Sequence, residues 1–186
     1  MPPIVAAIWI RGHVKALGKP DSDGVRPITL FEAPYKLATG VMLDLKKHHV
    51  AKVLQPHQFG AMLSCGAEQA TLVARTIAAD APPESLVFFN TDLKNAFGNV
   101  PRIHVLLAVA EFCPEWLPIL LCSWQVTGTT LWLPVGLGES KSFEVLDGVF
   151  QGECLSTALF CLVLKLVIRD FYRTLAKQAV PLATIQ

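Results

Sequence analysis

The stretch from residue 86 to residue 97 limits the possible folds most, because an apolar run leads directly into an acid. Its sequence is LVFFNTDLKNAF, and its first five residues are typical of a buried strand. Asp92 follows this strand and could hold a metal ion there, or could simply cap the turn that begins at Asn95. Phe97 stands five residues after the acid. We therefore predict a strand that ends in either a metal-binding or a capping aspartate.

The composition indicates a folded chain, and a partner or a further chain is expected to cover part of its surface. Of the 186 residues, 52% are hydrophobic and 17% are charged, which excludes an extended disordered tail. The mean hydropathy of +0.44 is high for a free-standing domain, so a partner or further chain is expected to cover part of the surface. No apolar run approaches the roughly 20 residues that a membrane-spanning helix needs, and no secretory signal is evident. We expect an intracellular protein, in the nucleus or cytoplasm, with no membrane partner.

Periodicity predicts an α+β chain that is rich in helices. An opening strand and a second strand at 27–31 flank a turn over 15–26, which is rich in Gly, Pro and Asp. Another hairpin is predicted from two strands at 129–133 and 142–146. Helices are predicted over 34–49, 67–79, 101–112, 116–125 and 155–177. The predicted fold class is therefore α+β, helix-rich, with a small antiparallel sheet.

Helical spacing also predicts which faces are buried. The first predicted helix carries one apolar stripe, the third predicted helix another, and the last helix a third. Their members are Tyr35, Ala38, Val41, Met42 and Leu45; Ile103, Leu106, Leu107 and Ala110; and Leu155, Leu159, Leu162, Val163 and Leu166.

Charge is distributed unevenly along the chain. Residues 1–52 hold eight Lys or Arg against four Asp or Glu, a balance of +4, and residues 53–186 hold eight against eleven, a balance of −3. This asymmetry fits phosphate binding by the first part and cation binding by the second, or ordinary scatter of surface charge.

Residues 148–156 read GVFQGECLS and form a second informative segment. A glycine such as Gly152 suits a place where backbone must approach a ligand closely, and Ser156 suits the start of a helix. Together with the Asp92 segment, this stretch resembles the first two core motifs of a reverse transcriptase palm of the non-LTR retrotransposon type. The resemblance implies the fingers and partial palm of a right-hand polymerase, with residues 1–85 as a fingers-like subdomain and residues 86–186 as a partial palm.

In that family the aspartate of the first motif is a catalytic metal ligand, and the next residue contributes its backbone carbonyl. The resemblance assigns these roles to Asp92 and Leu93, with two Mg²⁺ ions as cofactors of the intact enzyme. It also places Phe97 under the sugar of the incoming nucleotide, where a ring would exclude a 2′-hydroxyl, although a plain core phenylalanine is an alternative. Gln151 and Gly152 would approach the nascent base pair.

Two upstream segments extend the resemblance over residues 15–168. Lys19-Pro20 and the stretch RPITL that begins at Arg26 resemble the fingers hairpin, in which a lysine and an arginine clamp the triphosphate. Lys19 and Arg26 are the candidates, Lys15 is a substitute, and a solvated turn is the alternative for Lys19. The stretches YKL at 35–37 and QFG at 58–60 resemble the block that lines the template path.

The third palm motif of this family, a pair of adjacent aspartates, is absent from the sequence. In the second motif, Cys154 and Thr157 stand where prolines are usual, which fits a divergent or decayed copy. We expect a fragment of a reverse transcriptase domain that is inactive alone, lacking palm and thumb segments. The intact parent would use an RNA template, a DNA primer and deoxynucleoside triphosphates. A non-catalytic retroelement remnant that at most binds nucleic acid is the alternative.

Overall fold

A computed structural model of the chain describes residues 10–20, 22–82, 85, 91–124, 129–136 and 138–178. Its strands are β1 (Gly12–Lys19), β2 (Ser22–Phe31), β3 (Thr129–Pro134) and β4 (Ser140–Val145). Its helices are α1 (Ala33–Leu54), α2 (Gly66–Asp80), α3 (Ala96–Asn99), α4 (Arg102–Phe112), α5 (Leu117–Ser123) and α6 (Ser156–Lys177), with a 3₁₀ turn at Pro114–Trp116 before α5. The predicted α+β class is confirmed. The strand predicted over 86–90 lies outside the described residues.

The four described strands form one sheet in the order β2-β1-β3-β4. Two hairpins, β1–β2 and β3–β4, are antiparallel, but β1 and β3 run parallel, with Gly12 opposite Leu131. The sheet is therefore mixed, whereas the sequence analysis predicted a purely antiparallel one. The reason is the long connection between β1 and β3, because parallel neighbours need a crossover that two-residue turns cannot provide.

The first hairpin is longer than predicted, since most of the expected turn over 15–26 is strand. Its register is continuous up to a shift between Gly18 and Lys19, which absorbs the irregular tip. Pro27 is tolerated within β2 because β2 is an edge strand, and its missing N–H lies on the outer edge, two residues before the outward amide of Thr29.

Helix α4 buries a different face from the one predicted. Val105, Ala108 and Val109 are fully buried, whereas Ile103 is 60% and Leu107 is 56% exposed. The helix is apolar all round, so spacing alone cannot identify its inner face. The same is true of part of α1, where Val41 and Leu45 of the predicted stripe are exposed.

The described core consists of two clusters. The larger one packs α6 against α4 and α1, and it includes Leu155, Leu159, Leu162 and Val163 of the predicted stripe. The smaller one lies under the sheet and contains Val14, Phe31, Tyr35, Leu131 and Phe150. Phe150 thus anchors the segment 148–156 in the hydrophobic cluster under the sheet.

The sheet joins strands from both sides of residue 85, and the subdomain division at that residue stays a prediction. Within the described ranges, no helix is both long enough and apolar enough to cross a membrane.

Candidate functional site

The turn at Gln151 and Gly152 is attached to the outer edge of the sheet. The backbone N–H of Thr29 in β2 donates a hydrogen bond of 2.7 Å to the carbonyl oxygen of Gln151. Because β2 is an edge strand, this amide would otherwise face away from the sheet without a strand partner. The contact brings the second palm-like motif against the predicted fingers hairpin.

Gly152 can only be glycine in this arrangement. Its φ of +100° is a conformation that residues with a side chain rarely adopt. A Cβ at this position would also lie 2.6 Å from the carbonyl oxygen of Thr29 and 3.2 Å from Cγ2 of Ile28. The backbone of the turn therefore lies directly against the backbone of β2.

Two further backbone hydrogen bonds tie the same segment to the loop that follows Asp92. The N–H of Val149 donates to the carbonyl oxygen of Phe97 at 2.8 Å, and the N–H of Gly148 donates to that of Val100 at 3.1 Å. The Phe97 ring is half-buried and its centroid lies 5.4 Å from that of Phe160 in α6. The loop that carries Phe97 and the segment that carries Gln151 and Gly152 therefore meet at Val149, and their roles in one site stay a prediction.

Asp92 and Leu93 lie at the exposed start of this loop. The loop folds back on itself, because the side-chain amide of Asn99 donates to the carbonyl oxygen of Lys94 at 3.1 Å. Within the described ranges, no group of three or more His, Cys, Asp or Glu side chains is arranged to hold a metal ion. Asp92 is thus one solvent-accessible carboxylate, and the described residues do not make a complete metal site by themselves.

The basic candidates of the hairpin fall into two groups. Arg26 pairs with Leu17, and Lys15 pairs with Ile28, so Lys15, Arg26 and Ile28 share one face of the hairpin. Since a Cβ on Gly152 would touch the Ile28 side chain, Arg26 lies on the face beside the Gln151–Gly152 turn, about 7 Å further along β2. Lys19 lies beyond the register shift at the hairpin tip. The structure therefore brings Arg26 and Lys15 near the turn and leaves Lys19 at the tip.

Arg102, the first residue of α4, is a buried cation behind the turn. Its side chain is 7% exposed, and its Nε donates to the carbonyl oxygen of Gly148 at 3.2 Å. Its backbone N–H donates to Oδ1 of Asp147 at 2.7 Å, which satisfies one free amide at the start of α4. Burial lowers the pKa of Arg102 to about 10, against the opposing effect of the Asp147 charge, so the guanidinium remains protonated at neutral pH.

Glu153 is a buried acid on the other side of the turn. Its exposed fraction is 8%, and its Oε2 accepts a hydrogen bond of 3.1 Å from the Ser156 hydroxyl. Burial raises the pKa of Glu153, while hydrogen bonds from the backbone of Leu155 and from Ser156 oppose the rise. Burial, reinforced by the Glu153 charge, likewise raises the pKa of Tyr35. The turn is therefore supported from below by a polar network.

The sequence analysis did not single out this network. Arg102 was counted only as part of an apolar helix. Glu153 was counted only as part of a palm motif that differs from the usual pattern of the family. A charged residue at the head of the run RIHVLLAVAEF was the available signal, because such a residue must either reach solvent or find buried partners.

Comparison with known proteins gives a likeness that is structural. The sequence matches no protein-family profile and no curated protein. An apo telomerase from Candida tropicalis, truncated from its C-terminal domain, superimposes with a TM-score of 0.60 at 16% sequence identity over 90% of this chain. The chain spans 40% of that telomerase chain. The chain thus shares its α+β fold with part of a telomerase.

Proposed function

We propose that this chain forms the fingers and the first half of the palm of a reverse transcriptase of the non-LTR retrotransposon type. The observation that carries the proposal is the pair of backbone contacts from Thr29 to Gln151 and from Val149 to Phe97, at 2.7 and 2.8 Å. They join three segments that are distant in sequence and that were each assigned to the same site. The fold shared with a telomerase, a reverse-transcriptase-related enzyme, supports the same class of activity.

In the proposed reaction, the 3′-hydroxyl of a DNA primer attacks the α-phosphate of a deoxynucleoside triphosphate in line, and pyrophosphate leaves. Arg26, with Lys15 or Lys19, binds the triphosphate, because guanidinium and ammonium groups are suited to its oxygens. Gln151 and Gly152 present backbone to the base pair that forms on the RNA template. Phe97 lies beneath the sugar and selects against a 2′-hydroxyl.

Magnesium would supply two positive charges that align the primer hydroxyl and bind the triphosphate. Asp92 and the backbone carbonyl of Leu93 are proposed as one part of its ligand set, since Mg²⁺ prefers hard oxygen ligands. The described residues alone do not complete that set. We therefore expect this chain to bind substrates without joining nucleotides.

Binding and extension on a poly(rA)·oligo(dT) hybrid test the proposal. The chain alone is expected to bind the hybrid in a salt-dependent manner and to add no dTTP, with or without Mg²⁺. A longer version that carries downstream coding sequence with paired aspartates should extend the primer only with Mg²⁺.

The outcomes distinguish two hypotheses, a fragment of a reverse transcriptase and a non-catalytic remnant that at most binds nucleic acid. Extension by the chain alone would contradict the account of the incomplete metal site. Binding by both versions with extension by neither would favour the non-catalytic remnant, and failure of both to bind the hybrid would refute a nucleic-acid function.

A further inference from the structure

Arg102 contacts the segment that leads into the Gln151–Gly152 turn and the start of β3 behind it. Besides its bond to the carbonyl oxygen of Gly148, its Nη2 lies 3.4 Å from Oγ1 of Thr129, the first residue of β3. The Thr129 hydroxyl in turn donates to the carbonyl oxygen of Ser123 at the end of α5. One side chain at the head of α4 therefore links the start of the turn to the sheet and to α5.

The guanidinium of Arg102 also supports the aromatic ring that precedes Gln151. Its central carbon lies 5.4 Å from the centroid of the Phe150 ring and 5.0 Å from that of Trp124. Phe150 makes an edge contact with Phe31 at the end of β2, with ring centroids 5.1 Å apart. Movement of the guanidinium would therefore be transmitted through Phe150 to the place where Gln151 meets β2.

We propose that Arg102 is a positioning residue, which holds the Gln151–Gly152 turn at the distance from β2 and from the Phe97 loop that a template–primer base pair requires. This inference rests on the proposed function, and Arg102 acts through Gly148 and Phe150 rather than by touching substrate. This role accounts for the buried charge of Arg102, because core packing alone does not require a charged side chain there.

An arginine suits this role better than any other residue. Its planar fork can reach two acceptors in different directions while its face lies against aromatic rings, whereas a lysine provides one point charge. A buried cation costs free energy, and an apolar side chain of similar volume is often as good or better for stability. Substitution by methionine therefore separates the two roles, because stability can be kept while the position of the turn is lost.

The first measurement is amide exchange in the full chain. In Arg102→Lys and Arg102→Met, the amides of Thr29 and Val149 should exchange at least about tenfold faster, as expected when a charged hydrogen bond that holds the turn is removed. The amide of Leu159 inside α6 should be unchanged. Arg169→Lys is the matched control, because Arg169 pairs with Glu111 on α4, away from the turn.

The second measurement is the dissociation constant for a poly(rA)·oligo(dT) hybrid under conditions where circular dichroism shows each variant fully folded. Both Arg102 variants should bind about tenfold more weakly than the unsubstituted chain, and Arg169→Lys should bind equally well. Millimolar ethylguanidinium should restore binding to Arg102→Ala but have no effect on Arg169→Ala. Because each variant is compared while fully folded, a residue that only stabilised the fold would show neither weaker binding nor rescue.

Two results would overturn the inference. Unchanged exchange at Thr29 and Val149 would show that Arg102 does not hold the turn, and faster exchange with unchanged hybrid affinity would show that the position of the turn does not matter for binding. If the unsubstituted chain bound no hybrid, the proposed function would fail and the role in binding would fail with it. The exchange data would still show whether Arg102 holds the turn, independently of whether the chain binds a hybrid.

Discussion

Gly152 lies so close to Thr29 that a Cβ on the glycine would be 2.6 Å from the threonine carbonyl oxygen. Since Thr29 also donates its N–H to Gln151, both backbone polar groups of this residue face the turn. The turn and the edge strand therefore form one rigid unit, and its contact surface leaves no space for a side chain.

Gly152→Ala is expected to lower the free energy of unfolding by about 3 kcal/mol, because it combines a strained positive φ with a steric clash against backbone. Chemical denaturation followed by circular dichroism measures the loss. Gly138→Ala is the matched control, since Gly138 also has a positive φ, +81°, but has no atom within 4 Å of a Cβ. It should lose only about 1 kcal/mol. Equal losses in the two variants would mean that Gly152 is not packed against β2.

Glu153→Gln is expected to stabilise the chain at neutral and higher pH. Burial raises the pKa of Glu153 above 4.5 in the folded state, so the folded chain holds this proton more tightly than the unfolded chain does. The stability that depends on the protonated form is fully present below pH 4.5 and is lost as pH rises through the folded-state pKa. The difference in the free energy of unfolding between Glu153→Gln and the unsubstituted chain should therefore grow as pH rises.

Urea denaturation between pH 4 and pH 8 would measure this difference. Glu144→Gln, at an exposed position of β4, controls for the loss of one negative charge from the chain. If Glu153→Gln were less stable than the unsubstituted chain across the whole range, hydrogen bonds to the carboxylate would outweigh its burial, and the assigned direction would be wrong.

The sequence predicted the parts of the fold in which local pattern and tertiary environment agree. The stripe of α6 is confirmed because its other faces carry Lys165, Arg169 and Arg173, so one apolar face stood out. Helix α4 has apolar residues on every side, and its inner face was decided only by what packs against it. Spacing alone could therefore not show that Val105 lies on the buried face.

The candidate site shows the same division between local and long-range information. Gln151, Gly152 and Phe97 were singled out because each belongs to a short motif. The role of Arg102 could not be recognised, because its acceptor Gly148 is 46 residues away in the sequence. Only the folded chain brings them together. The parallel pairing of β1 with β3 was missed for the same reason, since it joins residues more than 100 positions apart.

Arg26→Ala and Lys15→Ala should each weaken hybrid binding and make it less dependent on salt. Each phosphate contact that is lost should reduce the slope of log affinity against log salt by about 1. Fluorescence anisotropy with labelled poly(rA)·oligo(dT) at several salt concentrations measures the slope. Lys47→Ala, on an exposed turn of α1, should leave it unchanged. An equal effect of all three variants would indicate general charge attraction in place of a defined site.

Phe97→Val is expected to weaken discrimination against ribonucleotides in a version of the protein that carries the paired aspartates. The ring of Phe97 is half-buried and lies against Phe160, and under the proposed function it is the wall that a 2′-hydroxyl would meet. Shortening it should raise the ratio of kcat/KM for UTP to that for dTTP by about tenfold or more on a poly(rA) template. Phe171→Val is the control, because it makes the same substitution at an exposed position of α6. If Phe97→Val kept the sugar selectivity of the unsubstituted enzyme while remaining folded, Phe97 would be an ordinary core residue, and the wall that excludes ribonucleotides would have to lie elsewhere.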